Sequence, residues 1–314
     1  MIMFNKKLTI LFLISGSIFL TICKKPSFET DPTTVPGTPT GASATAGNAQ
    51  ATITFTAPVS NGGSAITGYT VTSSPGGLTA TGNASPIAAT GLTNGIAYTF
   101  TVTATNAKGT SLPSSASNSV TPLPEVTNPT TGKIWMDRNL GASQVATSST
   151  DAASYGDLYQ WGRTADGHQI RTSGTTNTLS GIDTPGNAYF ILAPNSPGDW
   201  RSPQNTNLWQ GINGVNNPCP TGFRIPTEAE LEAERASWSS QNLAGAYASS
   251  LKLPAAGYRL PSNGSLSNVG TDGLYWSSTI DGTNAFYLGF GSIYVQMWPF
   301  DRAGGFSVRC IKDY

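Results

Sequence analysis

The chain has 314 residues and no formal net charge, and charged residues make up only 11% of it. The length accommodates two domains, and the aromatic content of 10% excludes the composition of a disordered chain. Because nucleic-acid binding needs a basic surface that replaces the counterions of the phosphates, the sequence predicts no nucleic-acid partner.

The N-terminal 23 residues have the pattern of an export signal. Two lysines at positions 6 and 7 precede a mostly apolar run over residues 8–22, which spans roughly 22 Å as a helix and is short for a bilayer. The run ends in Leu-Thr-Ile-Cys, which resembles the bacterial lipobox except that Ile22 replaces a small residue. We predict a signal peptide over residues 1–23 and lipidation of Cys23, with an uncleaved signal anchor as the alternative. Both place the chain at the cell envelope, anchored in a membrane.

Residues 24–34 are polar and aperiodic, which predicts a linker. Residues 35–124 contain one charged residue, Lys108, and alternate polar with apolar side chains in segments such as 52–56 and 98–104. Glycine-containing turns separate these segments. Period-two strands without helical periodicity predict an all-β sandwich.

The same segment resembles a fibronectin type III domain. Phe55 stands where that family has a core tryptophan, and residues 91–98, Gly-Leu-Thr-Asn-Gly-Ile-Ala-Tyr, are similar to its leucine-to-tyrosine corner. The resemblance implies that the hydroxyl of Tyr98 bonds back to the preceding backbone. It also implies a spacer, and without an Arg-Gly-Asp triplet it does not imply integrin-type adhesion.

Residues 125–314 are richer in Trp, Asn, Asp and Arg. Thr227 and Glu230 are spaced as a capping box and predict the start of a helix. Short aromatic strands are predicted at 274–276 and 285–290, between loops rich in Gly, Asn and Pro. These elements predict a loop-rich α+β domain.

Six motifs of this segment resemble the Fibrobacter succinogenes major paralogous domain. They are WMDRNL (135–140), YGDLYQWG (155–162), CPTGFRIPT (219–227), LPAAGYR (253–259), YWSS (275–278) and GFSVRCIKD (305–313). Residues 223–230 are also similar to the formylglycine-generating enzymes, relatives of the C-type lectins. The resemblance implies a mostly β chain in which a fibronectin type III β-sandwich precedes a C-type-lectin-like α+β domain.

The remaining cysteines, Cys219 and Cys310, predict a disulfide, because an oxidising compartment favours pairing within one domain. Two free thiols are the alternative. No metal or cofactor is predicted, since zinc sites need several His or Cys ligands. Phe300, in the segment that resembles the calcium-binding run of C-type lectins, offers no oxygen ligand.

No catalytic constellation is visible in the sequence, so we predict that the chain is not an enzyme. His168 is the sole histidine; no serine accompanies it in a nucleophile elbow, and we predict a solvated loop residue. Four glutamates at 228, 230, 232 and 234 share one predicted helix. They cannot flank a glycosidic bond and are predicted to cap the helix and face solvent. The formylglycine-generating enzymes use a pair of nearby reactive cysteines, which this chain lacks.

Tryptophan provides the functional hint. Three tryptophans lie in the motifs and are predicted core residues: Trp135, Trp161 and Trp276. Trp200, Trp209 and Trp298 lie outside the motifs in loop-like sequence and are candidate ligand-binding residues, because aromatic faces bind sugars and protein hot spots at little entropic cost.

We therefore predict a non-catalytic surface lipoprotein whose lectin-like domain binds a glycan or a protein. The alternatives are an accessory or hydrolytic component of extracellular polysaccharide processing and a structural envelope protein.

Overall fold

The computed structural model describes residues 33–313. The predicted signal peptide, Cys23 and the predicted linker up to residue 32 lie outside the described residues. No helix within residues 33–313 is long and apolar enough to cross a membrane.

The N-terminal part is a sandwich of two antiparallel sheets. Its strands are β1 (Thr40–Gly47), β2 (Gln50–Thr56), β3 (Ile66–Ser74), β4 (Thr79–Gly82), β5 (Ile87–Thr90), β6 (Thr99–Asn106) and β7 (Gly109–Thr110). One sheet has the order β1-β2-β5 and the other β4-β3-β6-β7. Both contribute to one apolar core, and in β6 buried Phe100, Val102 and Ala104 alternate with half-buried threonines. The predicted period-two strands are present.

The predicted tyrosine corner is confirmed. The side chain of Tyr98 is buried, and the N–H of Thr93 donates to its hydroxyl oxygen at 3.2 Å. Phe55 is also buried, and its ring centroid lies 4.8 Å from that of Tyr69. These contacts fix the turn before β6 against the core. The tyrosine lies at the position that the leucine-to-tyrosine corner predicts.

The sandwich ends in an unusual edge that the sequence pattern did not predict. Three serines spaced three residues apart run beside β6: Ser111, Ser114 and Ser117. The N–H of each donates to a carbonyl of β6, and its Oγ accepts the N–H of the same β6 residue at 3.0 Å. The hydroxyls therefore satisfy backbone donors that an ordinary strand would pair.

Residues 125–313, which we call the head, have many short elements. The strands are β8 (Glu125–Thr127), β9 (Ile134–Met136), β10 (Tyr159–Gln160), β11 (Thr175–Thr176), β12 (Phe190–Ile191), β13 (Phe223–Arg224), β14 (Tyr258–Arg259), β15 (Leu266–Ser267), β16 (Gly273–Asp281), β17 (Asn284–Phe290), β18 (Val295–Phe300), β19 (Gly305–Phe306) and β20 (Ile311–Lys312). The helices are α1 (Glu228–Ala236) and α2 (Leu243–Ala248). The sheets have the orders β13-β20-β9-β8, β10-β19-β14-β15, β11-β12 and β16-β17-β18.

The sheet β16-β17-β18 divides the apolar interior of the head into two clusters. One face packs with Leu231 and Trp238 from the α1 region. The other face packs against loops that carry Trp161 and Trp200 and against Phe306 of β19. The three motif tryptophans at 135, 161 and 276 are all buried, as predicted.

Helix α1 begins with the predicted capping box, in which Thr227 and Glu230 each accept from the other's backbone N–H. Glu234 corrects the prediction that all four helix glutamates cap or face solvent. Its side chain is 1% exposed and accepts from the amide of Asn128 at 2.5 Å and the indole of Trp238 at 3.2 Å. These donors stabilise a carboxylate that burial would otherwise disfavour.

The sandwich joins the head at Glu125. Its carbonyl accepts from the side chain of Asn48 at 3.3 Å, and its carboxylate lies 2.7 Å from the ammonium of Lys312. Leu123 packs against the aromatic core of the head. The sandwich is therefore attached to the head by direct contacts as well as by the chain.

The predicted disulfide between Cys219 and Cys310 is confirmed, and it closes a sequence separation of 91 residues. Cys310 is fully buried beside β20, whereas Cys219 precedes β13. The bond thus joins the two strands that pair at this edge of the head.

We expect the double variant Cys219→Ser/Cys310→Ser to unfold with a free energy about 4 kcal/mol lower, because its unfolded state regains the entropy of an open loop. Urea unfolding followed by tryptophan fluorescence measures this directly, since all seven tryptophans lie in the head. Equal midpoints for the variant and the parent would contradict the stabilising role of the bond.

Candidate functional site

Two of the three candidate ligand-binding tryptophans lie in the core. Trp200 is 1% exposed and Trp209 is fully buried. The prediction that they bind ligand from exposed loops is therefore wrong. The loops that carry them fold inward over the sheet instead of projecting into solvent.

The hydrogen bonds of these two tryptophans give the physical reason. The indole N–H of Trp200 donates to the carbonyl of Trp161 at 2.6 Å, and that of Trp209 donates to the carbonyl of Asn216 at 2.9 Å. Irregular segments leave buried carbonyls without strand or helix partners. An indole provides both apolar volume and the donor that such a carbonyl needs.

Trp298 is exposed, although it lies on a strand and not in a loop. Its side chain is 40% exposed on β18, the outer strand of its sheet. It stands opposite Tyr287 of β17, whose own partner on β16 is Trp276. Phe306 stacks on Trp276 with a centroid distance of 4.2 Å and so covers the inner part of this sheet face. The outer part, with Trp298, stays open.

Trp298 belongs to a group of adjoining rings, Tyr287, Tyr294, Trp298 and Phe300, which we call the aromatic face. The ring of Trp298 lies 5.8 Å from that of Tyr294 and 6.4 Å from that of Tyr287. Phe300 lies 6.0 Å from Tyr287. These distances are typical of aromatic neighbours that hold one another in place, so the exposed indole rests on a rigid support.

A glycine makes room for this arrangement. Gly289 lies on β17 opposite Gln296, and a Cβ atom at its position would come within 2.8 Å of the ring of Tyr287. Without a side chain there, the Tyr287 ring can lie along its own strand. This orientation keeps the aromatic face continuous from Phe300 to Trp298.

Polar groups border the aromatic face. Burial raises the pKa of Tyr287 to about 12, and burial together with the charge of Asp272 raises the pKa of Tyr294 above its ordinary value. Both phenols are therefore protonated at neutral pH and can act as hydrogen-bond donors. Gln296, half-buried on the same face of β18, adds an amide. Apolar ring faces bordered by hydrogen-bond donors and acceptors suit a ligand that has both an apolar surface and polar groups.

Comparison with known proteins identifies the sandwich. Residues 37–120 match the family model described as fibronectin type III domain. These residues form a fibronectin type III domain. No protein with a curated description matches the chain.

Solved structures similar to the chain cover only part of it. A crystal structure of titin domains is 29% identical over 28% of this chain and 32% of that one, with a TM-score of 0.27. The chicken CNTN1 FN1–FN3 domains are 26% identical over 29% of this chain and 35% of that one, with a TM-score of 0.26. The chain therefore spans about a third of the length of these structures. The aromatic face lies outside the fibronectin type III domain.

His168 lies in the core, in contrast to the predicted solvated loop position. It is fully buried. Its Nε2 accepts the backbone N–H of Gln160 at 3.1 Å, and its Nδ1 lies 2.6 Å from one carboxylate oxygen of Asp166. The other carboxylate oxygen of Asp166 accepts from the guanidinium of Arg163. Nδ1 therefore carries the proton and donates to Asp166. Among the described residues no group of three His, Cys, Asp or Glu side chains is arranged to hold a metal ion.

The buried imidazole makes the stability of the head depend on pH. Burial lowers the pKa of His168 from 6.5 to about 4, despite the hydrogen bond with Asp166. An unfolded chain binds a proton at higher pH than the folded chain does, so acidification favours unfolding. The free energy of unfolding begins to fall near pH 6.5, where the histidine of the unfolded chain titrates, and the decrease reaches about 3 kcal/mol below pH 4.

Because the chain has one histidine, its imidazole proton resonances report this group without assignment. We expect NMR spectra of the folded protein to show a neutral ring down to at least pH 5. A titration midpoint near 6.5 in the folded state would contradict the buried position.

Proposed function

We propose that the protein is a non-catalytic glycan-binding protein of the cell envelope, in which the lectin-like head binds sugars through its aromatic face. The exposed Trp298 ring carries this proposal. Of the seven tryptophans, all within the described residues, the other six are between 0% and 6% exposed. An isolated exposed leucine needs no functional explanation, but an indole supported by two tyrosines on an outer strand forms a recognition surface.

The shape and chemistry of the aromatic face favour a sugar. A pyranose ring has an apolar side of C–H groups that stacks on a flat indole, and equatorial hydroxyls that point outward. The phenols of Tyr287 and Tyr294, the carboxylate of Asp272 and the amide of Gln296 would supply hydrogen-bond donors and acceptors for such hydroxyls. Rigid aromatic side chains lose little conformational entropy on binding, which suits recognition of a weakly hydrophobic ligand.

The rest of the chain fits the same function. In this proposal lipid on Cys23 anchors the protein, and the fibronectin type III domain holds the head away from the membrane. Several acyl chains anchor firmly because each buried methylene contributes about 0.8 kcal/mol. The glycan then meets the head outside the envelope, and the head holds it without cleaving it.

We expect Trp298→Ala to weaken binding of a glycan selected on a glycan array by about tenfold or more, as removal of a central aromatic anchor does. Trp298→Phe keeps a flat ring and should retain most of the affinity. Both variants should unfold at nearly the parent's temperature because the side chain is 40% exposed. Calorimetric titration with the selected oligosaccharide gives the affinities.

A matched control is Leu112→Ala, which removes a side chain that is 76% exposed on the fibronectin type III domain. It should bind like the parent protein. Parent-like affinity of Trp298→Ala would contradict the proposed site, and hydrolysis of the bound glycan by the purified head would contradict the non-catalytic role.

A further inference from the structure

A pocket opens in the loops beside the aromatic face. Its volume is about 330 Å³, at the lower end of the range for small-molecule sites. Its lining includes Asn177, Leu179, Leu192, Asn195, Asp199 and Gln204. Leu179 is 43% exposed, so an apolar surface is open to solvent at the pocket.

Backbone contacts join this pocket to the end of β18. The N–H of Ala303 donates to the carbonyl of Gly198 at 2.9 Å. The carboxyl group of Asp301 occupies the position where a side chain on Gly198 would begin. Asp301 directly follows β18 and lies three residues, about 10 Å, beyond Trp298 along the chain. The neighbours of Gly198, Pro197 and Asp199, line the pocket, so the pocket lies next to this end of β18.

The pocket and the aromatic face lie on the same side of the sheet. Trp298 shares its sheet face with Tyr287 and Trp276. Ala193 and Trp200, from the loops that form the pocket, pack into the apolar cluster that covers this same face. A ligand that crosses Trp298 therefore meets the pocket without passing around an edge of the sheet.

The chemistry of the pocket suits an uncharged, hydroxyl-rich group. Leucine and proline side chains line it together with the amides of Asn177, Asn195 and Gln204. The guanidinium of Arg201 is already paired with Asp183 at 2.7 Å. Asp199, 4% exposed, accepts the N–H of Arg201, and burial raises the pKa of its carboxyl. A ligand that brought a charge here would find its opposite charges already engaged.

We propose that the ligand is an extended neutral oligosaccharide, which stacks one sugar on Trp298 and places a later sugar of the same chain in this pocket. This inference rests on the proposed function. A single sugar ring is too short to contact both places, so the two together select for chain length. The aromatic face supplies binding for any member of the series, and the pocket adds affinity only for the longer ones.

Asn177→Trp tests the inference by filling the pocket at an exposed position. The matched control is Asn83→Trp, at an exposed asparagine of the fibronectin type III domain. The probes are size ladders of neutral oligosaccharides, from two to eight sugar units, prepared from β-glucan, xylan and mannan. Dissociation constants come from calorimetry, and the melting temperature of each variant shows that it is folded.

For the parent and the control, we expect affinity to rise about tenfold or more from two to six units. In Asn177→Trp this rise should disappear while the affinity for the two-unit ligand stays within about twofold of the parent. Trp298→Ala should weaken binding at every length. If affinity still rises with ligand length in Asn177→Trp, the proposal that the pocket binds a sugar is overturned, whereas the proposal that the aromatic face binds one is retained. If the parent binds no member of the ladders, the proposed function fails, and this inference fails with it.

Discussion

Buried backbone carbonyls in irregular segments need hydrogen-bond donors, and this requirement governs the head. Eight of its thirteen strands are two residues long, so most of its backbone cannot pair within sheets. Side chains provide the missing donors. Arg309, 2% exposed, donates to the carbonyl of Leu251 at 2.7 Å, and the indole of Trp276 donates to the carbonyl of Tyr159 at 2.8 Å.

Arginine suits this task because its guanidinium has five donors in a rigid plane and no acceptor. Arg259 donates to the carbonyl of Gly264 at 2.9 Å and to that of Ser173 at 2.9 Å, and its guanidinium lies over the ring of Phe190. Burial lowers the pKa of Arg259 and of Arg309 to about 10. Both stay charged at neutral pH, and several carbonyl dipoles replace the water that each loses. The disulfide adds a covalent link to the same network.

The sequence predicted those features whose cause is local. A capping box, a tyrosine corner and period-two strands depend on residues close together in the chain, and Thr227, Tyr98 and β6 confirm them. The pair of cysteines was predicted by elimination and compartment. The motif tryptophans were placed correctly in the core because they lie in recognisable motifs.

The predictions that the structure contradicts share a different cause. Asn-, Pro- and Gly-rich sequence around Trp200 and Trp209 indicates loops, and loops usually lie on the surface, but these loops fold over a sheet face. Nothing local to His168 or Glu234 shows that Asp166 or Asn128 will meet them after folding. Trp298 was named for its sequence context, yet its exposure comes from its place on an outer strand. Long-range packing decides all of these positions.

The aromatic face contrasts with the tryptophans of the core. The indoles of four buried tryptophans donate to backbone carbonyls, namely those of Trp161, Trp200, Trp209 and Trp276. The ring of Trp298 is exposed and remains available to a ligand. Oxidative footprinting with mass spectrometry measures this difference residue by residue. Trp298 should oxidise far faster than Trp200 and Trp209, and a bound neutral oligosaccharide should protect Trp298 alone. Rapid oxidation of Trp200 or Trp209 in the folded protein, or no protection of Trp298 by bound glycan, would contradict this division between core and binding surface.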